Sequence, residues 1–250
     1  MSIFANLATD NSIADEKDSV GGGSKILESG LYLCKIVMAH ATTSAGGAMG
    51  LVLTLKTEAG QEFKQTLWMT SGTAKGCKNY YEKDGQKNYL PGFLHANSIC
   101  LLAVGKEIAQ VDTETKVINL YNSEAKSEVP TKVEVLMDLL GQDILVGLIK
   151  QNVDKTKKND ATGVYEPTGE TKEENEIDKF FRARDRMTTA EIRAQADTAA
   201  FAETWATKWT GVTKEKAKGA AAAGTAGVPK ASAGAMAAAG SKKPTTSLFA

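Results

Sequence analysis

The sequence predicts a mainly β fold with one helix inserted midway and a helical close. Three observations predict it. Apolar residues alternate at period two in several runs across 30–153, no strand–helix–strand rhythm occurs, and one apolar stretch with helical spacing interrupts the strand candidates. Residues 30–42 open as a strand, with Tyr32, Cys34, Ile36 and Met38 alternating against Leu33, Lys35 and Val37. The turn TTSAGGAMG leads to LVLTLK at 51–56, and Glu58, Ala59, Gly60 and Gln61 form a tight turn. The chain returns as EFKQTLWMT at 62–70. Alternation places Phe63, Gln65, Leu67 and Met69 on one face and Lys64, Thr66, Trp68 and Thr70 on the other. Phe93, Leu94, Ile99, Leu102 and Val104 are spaced for a helix that ends at Gly105, with His95 as a surface or capping residue. Strands follow at 117–121, 131–139 and 144–153, and Gly147 predicts a bulge or bend within the last. Five or six strands with this helix point to a small closed β-barrel of oligonucleotide-binding type.

Composition divides the rest. Residues 1–28 read as a polar tail or linker, with Ile3, Phe4 and Leu7 as docking candidates. Residues 29–153 form the core, and 154–175 read as a polar loop. From 176 to about 209 the chain is helical in character, so 154–211 make a loop and a packing helix. Thr188 and Glu191 have capping-box spacing, which starts a helix near Thr189 with Ile192, Ala196, Ala199, Ala200 and Trp205 on its apolar stripe. Phe180 and Phe181 anchor that packing. Residues 212–250 are rich in Ala, Gly, Ser and Lys, which bury too little apolar area to offset ordering entropy, so they are predicted to be disordered. Six lysines against Glu215 give that segment a net charge of +5.

Charge and cysteine usage restrict the function. The formal net charge is zero, with 30 basic and 30 acidic residues. That balance argues against strong nonspecific duplex binding, which needs a basic surface, while leaving room for local basic patches. No apolar run reaches the roughly 18 residues of a membrane helix, and the N-terminal segment lacks a secretory pattern. Cys34, Cys77 and Cys100 are odd in number and match no zinc-ligand spacing with His40 and His95, so free thiols in a reducing cytoplasm are expected. No hydrolase, phosphate-cradling or metalloprotease motif occurs. Neither an enzyme nor a cofactor is expected, and Asp138 and Asp143, flanking a turn, are weak material for a metal site.

The stretch 68–91, WMTSGTAKGCKNYYEKDGQKNYLP, carries the functional signal. Trp68, Tyr80, Tyr81 and Tyr89 are interleaved with Lys75, Lys78, Lys83 and Lys87. Aromatic faces between ammonium groups suit a flexible stacked polyanion, above all single-stranded nucleic acid. The plain alternative is a solvated hairpin loop. Trp68, sharing a face with Lys64, reads either as a stacking platform or as a residue packed under a helix or loop. Tyr89 reads equally as a contact or as a packing residue beside Pro91. The predicted contacts are Lys64, Trp68, Lys75, Lys78, Tyr80, Tyr81, Lys87 and Tyr89. Arg182, Arg184 and Arg186 stand at alternate positions, so an extended segment would point them one way, either to phosphate or simply to solvent.

The apolar core closing on LVGLIKQNVDK, followed by a polar loop and DKFFRARDRMTTAEIRAQADTAAFAETWATKWTG, resembles the single-stranded DNA-binding proteins of lytic tailed bacteriophages. The Lys-Phe-Phe run, the Thr-Ala-Glu-Ile helix start and the Trp-x-x-Lys-Trp close carry the resemblance, which covers about 28–211. It implies an oligonucleotide-binding barrel that coats displaced strands during replication, recombination and repair in the cytoplasm of the infected bacterial host. It also implies contacts of the C-terminal tail with phage DNA polymerase or other replisome proteins. Many such proteins end in an acidic tail with a terminal phenylalanine. This one ends KKPTTSLFA, which keeps Leu248 and Phe249 but adds Lys242 and Lys243, so a basic tail would add DNA affinity or dock on an acidic surface. The alternatives are a phage adaptor that recruits host RNA polymerase and an accessory annealing or nuclease-inhibiting factor.

Overall fold

The structure, a computed structural model, describes residues 26–122, 125–159 and 165–218. By their contacts the described residues divide into two compact units: 26–153 with 172–216, and 154–171 with 217–218.

The first unit is built around β1 (Gly30–Thr43), which pairs antiparallel from Cys34 to Thr43 with β2 (Met49–Thr57). β2 continues into β3 (Glu62–Trp68), again antiparallel, from Lys56 opposite Glu62 to Gly50 opposite Trp68. A short ribbon follows, β4 (Tyr80–Lys83) against β5 (Gln86–Tyr89), and then the helix α1 (Pro91–Val104). β6 (Glu114–Asn122) and β7 (Ser127–Val135) form a hairpin that meets β1 where Val135 pairs with His40. The first half of β1, Gly30 to Lys35, pairs instead with β8 (Asp143–Lys158). β1 is thus shared between two neighbours on the same side. Its register shift with β2 between Ile36 and Met38 lies where the hand-over occurs, as a bulge that bends the strand. A 3-10 turn at Met137–Leu139 fills the gap, with Leu136 N–H donating to Ala39 O and Gly141 N–H to Ile36 O.

Beyond β8 lie β9 (Tyr165–Arg182), α2 (Thr189–Arg193), α3 (Ala200–Trp209) and β10 (Thr213–Glu215). β9 pairs with β8, and β10 adds to β8 in parallel. Ile36, Leu53, Leu55, Ile99, Ile144 and Phe180 are fully buried between the sheet and α1. A second cluster places Trp205 and Ala202 of α3 against Leu145, Ile149 and Phe181. The mainly β class therefore stands, with its helix inserted after β5. The hydrogen-bonded path does not close into a ring among the described strands. Between β9 and β3 a side chain makes the link: Gln65 Oε1 accepts from Ile177 N–H at 2.8 Å.

Several expectations need correction. Residues 154–175 are not a loop: much of the stretch belongs to β8 and β9. In the second unit Lys155 pairs with Glu170 at 2.9 Å, and its carbonyl accepts from the Thr168 hydroxyl at 3.2 Å. Both faces of this ribbon are polar, so no apolar alternation marks it as strand. Residues 176–182 are likewise strand, and the single helix expected from Thr189 is two. Its start is as predicted, with Thr188 Oγ1 accepting from Glu191 N–H. It breaks after Arg193, where Gln195 takes φ 52°. The Glu191 carboxylate then accepts from Phe201 N–H at 2.7 Å, so one side chain caps both short helices. The strand expected over 131–139 ends at Val135. Thr213–Glu215, within the segment expected to be disordered, forms β10. Gly147 makes no bulge: the β1–β8 register runs unbroken from Leu148 to Asp143. It is glycine because Trp205 packs on it, and a Cβ there would lie 2.9 Å from Trp205 Cζ2. The expectations for Ile3, Phe4 and Leu7 lie outside the described residues.

Candidate nucleic-acid interface

Two surfaces carry the predicted aromatic and basic residues. The first is the outer face of β3. Lys64 and Trp68 are both exposed there, while Leu67 between them is buried, as the predicted alternation requires. Trp68 is not packed under a helix. Its ring lies against Gly50 of β2, where an added Cβ would come within 2.8 Å of Cε3 and 3.0 Å of Cζ3, and 45% of the residue remains exposed. One edge of the indole is therefore fixed by the sheet and much of the rest faces solvent. The backbone beneath is fixed as well. Gly92, at the start of α1, approaches so closely that a Cβ would stand 2.0 Å from Trp68 O.

The second surface is the β4–β5 ribbon with the segment before it. A 3-10 turn at Thr73–Lys75 carries Lys75, and Ser71 N–H donates to Lys78 O at 2.8 Å while Lys78 N–H donates to Ser71 Oγ at 3.0 Å. Leu90 N–H donates to Asn79 O at 2.8 Å, which ties the ribbon to the entry of α1. Tyr80 stands opposite Tyr89, and Tyr81 opposite Asn88. Because successive side chains of a strand alternate, Tyr80 and Tyr89 share one face and Tyr81 projects from the other. Tyr80 carries two ammonium groups over its ring, Lys87 Nζ at 5.0 Å and Lys78 Nζ at 5.5 Å from the centroid. Such contacts are worth about 0.5–1 kcal/mol at exposed sites. Tyr89 is 55% exposed and packs on Phe93 with centroids 5.0 Å apart, so it is both exposed and a packing residue. Tyr81 is 46% exposed. Lys75, Lys78, Tyr80, Tyr81, Ser71 and Leu90 line a cleft of about 370 Å³.

Lys64, Lys75, Lys78, Lys83 and Lys87 make no ion pair among the described residues. The arginines differ. The extended geometry expected for them fails, because β9 ends at Arg182 and the chain turns back, with Arg186 N–H donating to Arg182 O. Arg182 Nε donates to both oxygens of Asp185 at 2.9 and 3.0 Å, and Arg186 meets Glu203 at 3.4 Å. Arg184 and Arg186 are both exposed, and Arg184 Nε stands 3.7 Å from the same Asp185. The three do not form a common phosphate surface. Arg182 holds the Asp185 carboxyl below its usual range, mainly through that hydrogen bond.

The histidines and the thiols of Cys34 and Cys100 are structural. His95 is not a surface residue: it packs edge-on against Phe180 with centroids 6.0 Å apart, and burial lowers its pKa. Burial also lowers that of His40 and pushes the Cys34 and Cys100 thiols up to about 12, which leaves neither as a thiolate nucleophile near neutral pH. Asp138 is paired with Lys106 at 2.7 Å and Asp143 with Lys35 at 2.8 Å. Among the described residues no group of three or more His, Cys, Asp or Glu is placed to hold a metal ion, and no helix is long and apolar enough to cross a membrane. Lys242, Lys243, Leu248 and Phe249 lie outside the described residues.

Sequence reasoning missed two features. Phe93 enters the tyrosine face through the ribbon's tie to α1, which no local spacing signals. Trp209 carries Lys208 and Lys214 over its ring at 5.0 and 5.5 Å, and the Trp-x-x-Lys-Trp close supplied that signal without its geometry. No protein-family model matches this chain, and no curated protein matches it either.

Proposed function

We propose that this chain is a single-stranded DNA-binding protein, of the kind that coats and protects displaced strands in phage replication, recombination and repair. The observation that carries the reading is the Trp68 platform: a large aromatic ring backed by Gly50 and nearly half exposed, with the unpaired Lys64 on the same strand face. A base stacks on such a ring whatever its identity, and the ammonium group meets the backbone phosphate. The tyrosine ribbon adds a second station. Tyr80 is already held by two ammonium groups, and a stacking base displaces them toward the phosphates that accompany it.

The zero net charge supports single strands over duplex. A local cluster of five lysines with Glu82 and Asp84 neutralises a few phosphates, whereas strong duplex binding needs a broad basic surface. The test is titration of a fluorescent oligo-dT and of a duplex of equal length at two salt concentrations. The oligonucleotide is expected to bind tighter and to weaken with salt. If it binds no better than the duplex, the reading fails and an adaptor role on an acidic protein surface takes its place.

A further inference from the structure

A second cleft, of about 330 Å³, adjoins the ribbon, and Lys78 lines both. Met49, Met69, Phe93 and Ile108 form its apolar lining, and Thr70 and Asn79 supply polar groups. It falls within the range of about 300–1,000 Å³ typical of small-ligand sites, and its lining, mostly apolar with a few donors and acceptors, matches the composition of such sites. Its lining contains no acidic residue, and Glu82 is the one acid in that of the tyrosine cleft. Met49 is half exposed although it is a large apolar residue at a strand end, and Thr70 Oγ1 accepts from its N–H at 2.8 Å.

We propose that this cleft takes an unstacked nucleobase of single-stranded DNA. The neighbouring base lies in the tyrosine cleft, and the phosphate joining them meets the Lys78 ammonium. The proposal rests on the single-stranded reading above and adds to it a two-base step with a defined pocket. Two apolar clefts separated by one shared, unpaired cation reproduce the alternation of a nucleic-acid strand, base, phosphate, base. Sequence-tolerant proteins read single strands through such base faces and backbone charges. Thioether side chains suit a pocket that must accept different bases, because they repack around irregular shapes.

Cys77 makes the proposal testable in the unmodified full chain. It lines this cleft and is exposed, whereas Cys34 and Cys100 are buried. Iodoacetamide alkylation of Cys77 is followed by mass spectrometry in three states: free, saturated with oligo-dT, and saturated with an all-abasic strand of equal length. Saturation is set by fluorescence anisotropy. The expected result is strong protection by oligo-dT and weaker protection by the abasic strand. Equal protection by both strands overturns the base pocket, as does an unchanged rate with bound oligo-dT; in either case the single-strand reading survives. Failure of oligo-dT to bind at all sinks that reading and the pocket with it. Ala109→Phe supplies a second arm. Ala109 is exposed and lines the cleft, so the larger side chain fills it without entering the core. Its melting temperature is expected to be unchanged and its oligo-dT affinity about tenfold weaker, within what one base contact contributes. A correctly folded variant with wild-type affinity refutes the pocket.

Discussion

Gly50→Ala tests the Trp68 platform without touching the tryptophan. An alanine Cβ would lie 2.8 Å from Trp68 Cε3 and 3.1 Å from Thr66 Cγ2. Carbon atoms pack at about 3.5–4.0 Å, so the ring must retreat by about 0.7 Å or more. Trp68 is 45% exposed and free to lift, so the cost to stability lies at the low end of overpacking, about 1 kcal/mol. The cost to function is larger. On the proposed reading, a ring displaced from its seat loses the base stacked on it, about 1–3 kcal/mol, or roughly 5- to 150-fold in Kd. The assay is oligo-dT anisotropy on wild type, Gly50→Ala, Trp68→Ala and the double variant, with thermal melts as the folding control. Both single variants are expected to weaken binding by similar factors. The double variant is expected to match Trp68→Ala, because the two changes remove one interaction and cannot add. Additive losses, or a Gly50→Ala variant that binds as wild type while Trp68→Ala does not, would refute the claim that Gly50 seats the ring.

Three further predictions concern stability and charge. Gly92→Ala places a Cβ 2.0 Å from Trp68 O, a backbone atom that cannot swing aside. A loss of about 3 kcal/mol or more is expected, seen as a drop of roughly 6–12 °C in Tm. Lys78→Gln should make the salt dependence of oligo-dT binding shallower by about 0.7 in the log–log slope, the value for one phosphate contact on a single strand. Asp185→Asn removes the partner of Arg182. The folded-state pKa of Asp185 is depressed, so its stabilising effect is present above the unfolded value of about 3.9 and is lost as pH falls through the folded value. The Tm difference between variant and wild type is therefore expected near neutral pH and should narrow below about pH 4; a constant difference from pH 7 to pH 2.5 would contradict the linkage.

What could be read from the sequence follows from what local pattern encodes. β1, β2 and β3 bury one face, so alternation marks them, and the same alternation placed Lys64 and Trp68 together on the outer face. Gly105 closes α1 as a C-terminal glycine should, with its N–H donating to Leu101 O. β9 was invisible because its outer stretch has no buried face. Two features needed register instead of pattern. The pairing of Gly50 with Trp68, which turns a lone tryptophan into a backed platform, depends on the loop between β2 and β3. The pairing of Tyr80 with Tyr89 and of Tyr81 with Asn88 likewise separates two adjacent tyrosines that the sequence grouped together. The arginines failed for a related reason. Alternate spacing implies a common direction only in an extended chain, and Asp185, two residues before Met187, accepts from its N–H at 3.2 Å and stabilises a turn there.

An overall charge of zero and the proposed affinity for a polyanion are compatible because the charges are sorted by position. Between residues 64 and 89, five lysines face two acids, Glu82 and Asp84, and all five lack ion pairs among the described residues. From 166 to 178 the order is reversed, with Glu166, Glu170, Glu173, Glu174, Glu176 and Asp178 against Lys172. Several of these acids are engaged within their own unit: Glu173 with Lys150, Glu176 with Lys216, and Asp178 with the indole N–H of Trp205. The lysines of 64–89 thus carry no ion pair among the described residues, while these three acids are already engaged. A chain organised in this way gains little from a rigid duplex, whose phosphates spread over a wide surface. On the proposed reading it gains more from a flexible strand whose bases reach Trp68 and Tyr80 and whose phosphates reach the unpaired lysines.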